Sequence, residues 1–216
     1  MKDNSWIRWC RRFFFVLGIL ALGYVAFALI DARLYQADQS RQFQRELNGL
    51  KASVVSQEPL HAASVSQAPV KESLMRAAPI DVDGIRRASL GRIEISTIGL
   101  SAMIMEGTDA RTLRHAVGHI PGTPLPGQPG NVAITGHRDT FFRPLRNIRK
   151  NDEIRLTTLS GSYRYGVDSI KVVAPEATEV LNSSEDAILT LVTCYPFYYV
   201  GPAPKRFVVR AHRIPG

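Results

Sequence analysis

Residues 13–30 read FFFVLGILALGYVAFALI, eighteen consecutive residues without a charge. As a helix rising ~1.5 Å per residue this run covers about 27 Å, close to a bilayer hydrocarbon core of roughly 30 Å. Arg8, Arg11 and Arg12 precede it, and Trp6 and Trp9 stand where interfacial anchors stand. The run therefore predicts a transmembrane signal anchor with residues 1–12 as a cytoplasmic tail, because basic flanks stay inside. The alternative is a cleaved signal peptide, whose apolar region is normally shorter; no small-residue cleavage pattern follows Ile30. The expected localisation is the cell membrane, single-pass, with the folded portion on the periplasmic or cell-wall side.

This topology gives meaning to a scarce residue. The chain has two cysteines, Cys10 before the apolar run and Cys194 far beyond it. A bilayer between them forbids an intramolecular pair. Cys194 is then an unpaired thiol in a compartment where cysteines normally form disulfides, so it is either a buried hydrophobe or a reactive group. The formal charge of +8 suits an anionic membrane or wall surface. Nucleic acid is disfavoured by the lack of zinc-finger spacing, a basic amphipathic helix or an aromatic RNA-binding pattern.

Residues 31–84 read as a juxtamembrane helix followed by a flexible linker. Residues 31–50 are polar and proline-free, with a thin apolar stripe at Leu34, Phe43, Leu47 and Leu50 that predicts a solvated helix. Residues 51–83 carry Ala, Ser, Val, Gln and three prolines without periodicity, a spacer composition. From about Ile85 to residue 216 the texture becomes that of a folded domain. Short strand-like runs are expected at 92–96, 101–105, 131–135, 152–158, 162–167, 169–174, 187–193 and 206–212, and a helix at 109–117 with Asp109 as N-cap. Pro121 to Gly130 (PGTPLPGQPG) is a loop by composition. Many short strands with one helix predict a mostly β, closed barrel.

A cysteine nucleophile needs a neighbour that favours its thiolate, since a free thiol titrates near 8.5. His115 and His119 have zinc-like spacing but lack the following Glu and a third ligand, so no metal is expected. His212 reads as a surface residue. His137 ends the run Asn131–Thr135 after Gly136, a position from which a side chain meets other strand ends. Asp139 follows two residues later as a weaker candidate partner. The runs around Cys194 and Arg206 are joined by residues 195–205, too few for a helical crossover, so they are expected to be antiparallel neighbours. Cys194 and Arg206 then lie side by side beneath an overhanging loop. A guanidinium there favours a thiolate or holds an oxyanion.

Thr190-Leu191-Val192-Thr193-Cys194 resembles the TLxTC signature of sortases, the membrane-anchored cysteine transpeptidases of bacteria. Ile134-Thr135-Gly136-His137-Arg138-Asp139 and Lys205-Arg206-Phe207 fill the places of the upstream histidine and downstream arginine of that family. The resemblance runs from about Gly91 to Arg213. The strings Thr193-Cys194-Tyr195-Pro196-Phe197 and Pro204-Lys205-Arg206-Phe207 look most like class D sortases. The resemblance implies a closed barrel of about eight strands with one or two short helices. It implies Cys194 as the nucleophile that attacks an LPXTG-type sorting signal after its threonine, His137 as general acid/base, and Arg206 on the oxyanion or substrate. It implies Thr193 lining the substrate cleft, residues 174–186 gripping the signal, and an amine acceptor that is a peptidoglycan precursor or a pilin lysine. No cofactor is expected, and the scattered acidic residues Glu176, Glu179, Glu185 and Asp186 predict no calcium site. A tethered thiol hydrolase and a non-catalytic peptide-binding barrel are the competing readings of the same residues.

Overall fold

The computed structural model describes residues 5–55 and 89–215, apart from the side chains at 5, 7, 8, 25, 28, 29, 32, 33 and 51–55. Helix α1 spans Ser5–Val55. A second, one-and-a-half-turn helix, α2, spans Ala110–His115. The strands are β1 Ser89–Ile95, β2 Leu100–Glu106, β3 Val117–His119, β4 Asn131–Thr135, β5 Glu153–Thr158, β6 Gly161–Val173, β7 Ile188–Tyr195 and β8 Lys205–Ile214. They close into a barrel in the order β1-β2-β3-β4-β7-β8-β6-β5, with β5 returning to β1. The expected mostly β, eight-stranded closed barrel is therefore what the chain forms. Closure leaves no long sheet edge open.

Alternation decides which face of each strand is inside. Ile93 and Ile95, Val132 and Ile134, Ile154 and Leu156, Leu189 and Leu191, and Val209 and Ala211 are all buried in one core. Phe142 and Leu145, from the segment after β4, fill the same interior. Tyr165 lies wholly within it; among the described residues its hydroxyl makes no well-formed hydrogen bond, and burial raises its pKa above the usual phenol value.

Several boundaries differ from the expectations. The two runs at 162–167 and 169–174 form one continuous strand, β6, whose register with β8 shifts between Val167 and Ser169. A bulge of this kind bends a strand without ending it, so the hydrophobic pattern breaks where the backbone does not. Strand β3 occupies residues in and just after the expected helix. Asp109 does cap α2, accepting from the Arg111 and Thr112 backbone amides and the Thr112 hydroxyl. The helix then stops at His115, because residues 117–119 are taken into a parallel ladder with β2.

Residues 13–30 lie in the N-terminal half of the 51-residue α1, and among the described residues no helix is long and apolar enough to cross a membrane. The described apolar side chains of that stretch, Phe13, Phe14, Phe15 and Leu22 among them, are bare. The expected helix at 31–50 forms and is exposed over most of its described side chains, Leu34 and Leu50 among them, while Phe43 is buried and Gln36 bonds to the barrel. Residues 56–88, which include the greater part of the expected linker and the first residues of the expected domain, lie outside the described residues.

Candidate active site

Three strand ends meet at one end of the barrel. β4 and β7 run parallel, with Thr135 opposite Val192. β7 and β8 run antiparallel, with Cys194 directly opposite Arg206. The C-terminal ends of β4 and β7 and the start of β8 therefore coincide. Because residues paired across a ladder share a face, Cys194 and Arg206 point the same way. Leu189 and Leu191 point into the core, so the parity of Cys194 is outward. Val132 and Ile134 of β4 point inward as well; β4 ends at Thr135, and His137 follows two residues later with its side chain exposed. The barrel interior is a packed core, and the site is a surface on the outside of its wall.

The junction between β4 and β7 is fastened by main-chain and hydroxyl groups. The Val192 carbonyl accepts from the Thr135 hydroxyl at 3.0 Å and from the Gly136 amide at 3.4 Å. The Thr193 hydroxyl donates to the Gly136 carbonyl at 2.7 Å. Gly136 is closely packed: a Cβ there would meet the Phe142 ring at 3.0 Å and Val117 Cγ1 at 3.1 Å, so those side chains would have to give way slightly. After it, the His137 carbonyl accepts the Phe142 amide at 3.1 Å, which turns the chain back over the core. These bonds hold the backbone on either side of His137 while its imidazole stays exposed.

Beneath Cys194 and Arg206 an aromatic trio fills the barrel end. Tyr195 stacks on Phe207 at 6.2 Å between ring centroids, and Phe197 meets Phe207 edge-on at 5.1 Å. Arg206 is half-buried, and its Nη1 donates to the carbonyls of Ala203 and Lys205, each at 3.1 Å. A guanidinium carries five N–H donors, so three are left to meet an anionic or carbonyl oxygen. The loop between β7 and β8 is pinned to the histidine segment by Arg138, whose Nη2 donates to the Tyr199 carbonyl at 2.7 Å and the Gly201 carbonyl at 3.1 Å.

The structure thus pairs Cys194 with Arg206 across β7 and β8, and His137 lies two residues past the end of β4, the strand beside β7. Thr193 is placed differently from its expected role of lining the substrate cleft: it is 2% exposed and turned into the barrel, where it ties β7 to Gly136. Its parity, opposite to that of Cys194, requires this. Asp139 sits exposed on the turn after His137. His115 and His119 are engaged separately, His115 with Asp31 and the Arg111 carbonyl, His119 with Glu106 and the Pro124 carbonyl. No cluster of metal-ligating side chains occurs among the described residues.

Two positioning residues had no signal in the sequence. Arg138 reads there as one more polar residue after a strand. Asn131 reads as the first residue of a strand, yet its buried amide donates to the Val180 and Asn182 carbonyls, each at 3.0 Å, and accepts from Thr190 at 2.6 Å. Asn131 thereby fixes the segment between β6 and β7, the segment expected to flank the site.

The sortase domain profile matches residues 93–214, the barrel almost from end to end. The chain belongs to the sortase family. It is 38% identical over 125 residues to Sortase D of Bacillus subtilis, covering 57% of this chain and 63% of that protein. It is 29% identical over 111 residues to Sortase A of Listeria monocytogenes, half of each chain. This sortase thus spans between about half and 63% of the length of these curated relatives. Among solved structures it resembles a Sortase D5 transpeptidase of Clostridium perfringens, with 25% identity and a TM-score of 0.62 over 84% of this chain and 99% of that one. A lid mutant of Sortase A from Corynebacterium diphtheriae gives 36% identity and a TM-score of 0.56 over 60% and 72%. The class D likeness expected from the strings around Cys194 and Arg206 agrees with the first and third of these.

Proposed function

We propose that this sortase is a cysteine transpeptidase that cleaves an LPXTG-type sorting signal after its threonine and transfers the new acyl end to an amine of the cell envelope. The observation that carries the reading is the direct pairing of Cys194 with Arg206 on the outer face of the barrel, with His137 at the adjoining strand end. In the first step the Cys194 sulfur bonds to the threonine carbonyl carbon. The carbon–nitrogen bond breaks, and the departing amine takes a proton from His137. In the second step an incoming amine loses a proton to His137, bonds to the same carbon and expels the Cys194 thiolate. Arg206 donates to the oxyanion in both steps. Splitting one difficult transfer into two easier ones is what a covalent nucleophile contributes.

Membrane attachment belongs to the same proposal and is supported by the uncharged run at 13–30 with its basic flank. The full chain is then expected to remain with membranes after an alkaline wash.

The test uses the full chain in detergent micelles with an LPXTG-containing peptide and an added amine, read by mass spectrometry. A peptide–amine adduct is expected, together with a thioester on Cys194 when amine is withheld. Cys194→Ala is expected to abolish both. His137→Ala and Arg206→Ala are each expected to lower turnover by about 10²- to 10⁴-fold. Hydrolysis without adduct at saturating amine would replace transfer by a hydrolase reading. Full activity in Cys194→Ala would end the proposal.

A further inference from the structure

The parallel ladder between β2 and β3 begins at Ile104 opposite Val117 and continues through Met105 and Glu106. One step earlier, Met103 would stand opposite Ala116, and its amide would reach the carbonyl of His115. That bond is missing from the ladder. A side chain from α1 occupies its place: Gln36 Oε1 accepts from the Met103 amide at 2.9 Å, and Gln36 Nε2 donates to the His115 carbonyl. A carboxamide has the donor and acceptor of a peptide group, so Gln36 stands in for one missing rung. Around it, Asp31 is 3.1 Å from His115 Nε2, the Tyr35 ring lies 4.9 Å from the His115 ring, and Phe43 is buried one further turn or two along the helix.

We propose that residues 31–43 of α1 are an integral strap of the catalytic barrel, docked within the same chain at a notch between β2 and β3 that recognises a carboxamide. The notch presents one backbone donor and one backbone acceptor a ladder step apart. Methionine or alanine at position 36 supplies neither partner, and a lysine or carboxylate supplies one of the two. The segment holds the barrel against α1 and does not act as a spacer before it. It also supplies main-chain partners to one step of β2 beyond the end of the β3 ladder. The site lies one strand away, since Val117 of β3 packs against the backbone of Gly136.

The experiment is amide hydrogen exchange, resolved to single residues, on the full chain in detergent micelles. Met103 is expected to be protected in the natural sequence. In Gln36→Ala and in the similarly sized Gln36→Met, Met103 is expected to exchange about tenfold faster, the loss of one hydrogen bond. Ile104 and Met105 are expected to keep their protection in both variants. Unchanged exchange at Met103 in either variant overturns the proposal. So does protection that vanishes on dilution together with a dimer seen by sedimentation, because the strap would then come from a second copy. Both readouts are independent of transpeptidation, so this inference and the proposed function fail separately.

Discussion

Thr193 and Cys194 are neighbours with opposite tasks, and strand parity assigns them. Cys194 faces out with Arg206, whereas Thr193 faces in and spends its hydroxyl on the Gly136 carbonyl. Thr193→Val is expected to leave that carbonyl unsatisfied in a closed interior, lowering stability by about 1–3 kcal/mol. Thr193→Ser is expected to restore it, and thermal melts of the two variants separate the outcomes. Tyr165 makes the reverse case, with a buried hydroxyl that makes no well-formed hydrogen bond among the described residues. Tyr165→Phe is expected to leave the melting temperature unchanged or raise it, since an orphaned polar group contributes only its desolvation cost. Burial raises the Tyr165 pKa, so the folded state holds this proton more tightly than the unfolded chain does. The associated stability is complete below the ordinary phenol value of about 10 and is lost as pH rises through the higher folded value. Tyr165→Phe is expected to flatten that alkaline decline, which a pH series of denaturant titrations would show.

Among the elements, α2 depends most on one residue. At six residues it is too short to persist without help, and Asp109 supplies that help by accepting from two backbone amides and the Thr112 hydroxyl. The Thr112 amide and hydroxyl are the main causes holding the Asp109 pKa below the ordinary carboxylate value. A depressed pKa contributes stability above the unfolded value of about 4, lost as pH falls through the lower folded value. Asp109→Ala is expected to lower the melting temperature at pH 7 and to weaken its fall in acid. Asp109→Asn retains an acceptor and is expected to lie between the two. This cap was legible in the sequence, as were the alternating runs that became β1, β2, β4, β7 and β8. Strand β3 was not. Three residues are too few to show a period, and its backbone is recruited by the β2 ladder, not by its own side chains. The bulge in β6 hid the continuity of that strand for a related reason, because one extra residue inverts the alternation on which a strand is recognised.

At the scale of the whole molecule, two bodies are joined at a small contact. The barrel has its own core, and α1 reaches it through Gln36 and the neighbours of His115, with Phe43 buried farther along the same helix. Phe43→Ala is expected to weaken that junction by about 3–5 kcal/mol while the barrel core stays intact. Hydrogen exchange of the variant full chain should then quicken at the β2 notch and remain slow at Leu189 and Leu191. Equal quickening throughout the barrel would mean that helix and barrel unfold as one.

Adjacency in the sequence was enough to pair Cys194 with Arg206, because an 11-residue connection between two strands leaves little choice but an antiparallel turn. The order of histidine, cysteine and arginine, and the strand-end position of each, were likewise determined locally by hydrophobic alternation and its interruption. The proposed partnership of His137 with Cys194 was reached in the sequence only through the family resemblance, because no local pattern joins the two. Fifty-seven residues separate them, and what joins them is the parallel pairing of β4 with β7, a non-local contact that leaves no mark in the period of either strand. The inward turn of Thr193, the pinning roles of Asn131 and Arg138, and the seat of Gln36 in a foreign ladder are of the same kind. Each depends on which backbone groups the closed barrel leaves within reach of a side chain, and that is a property of the assembled fold alone.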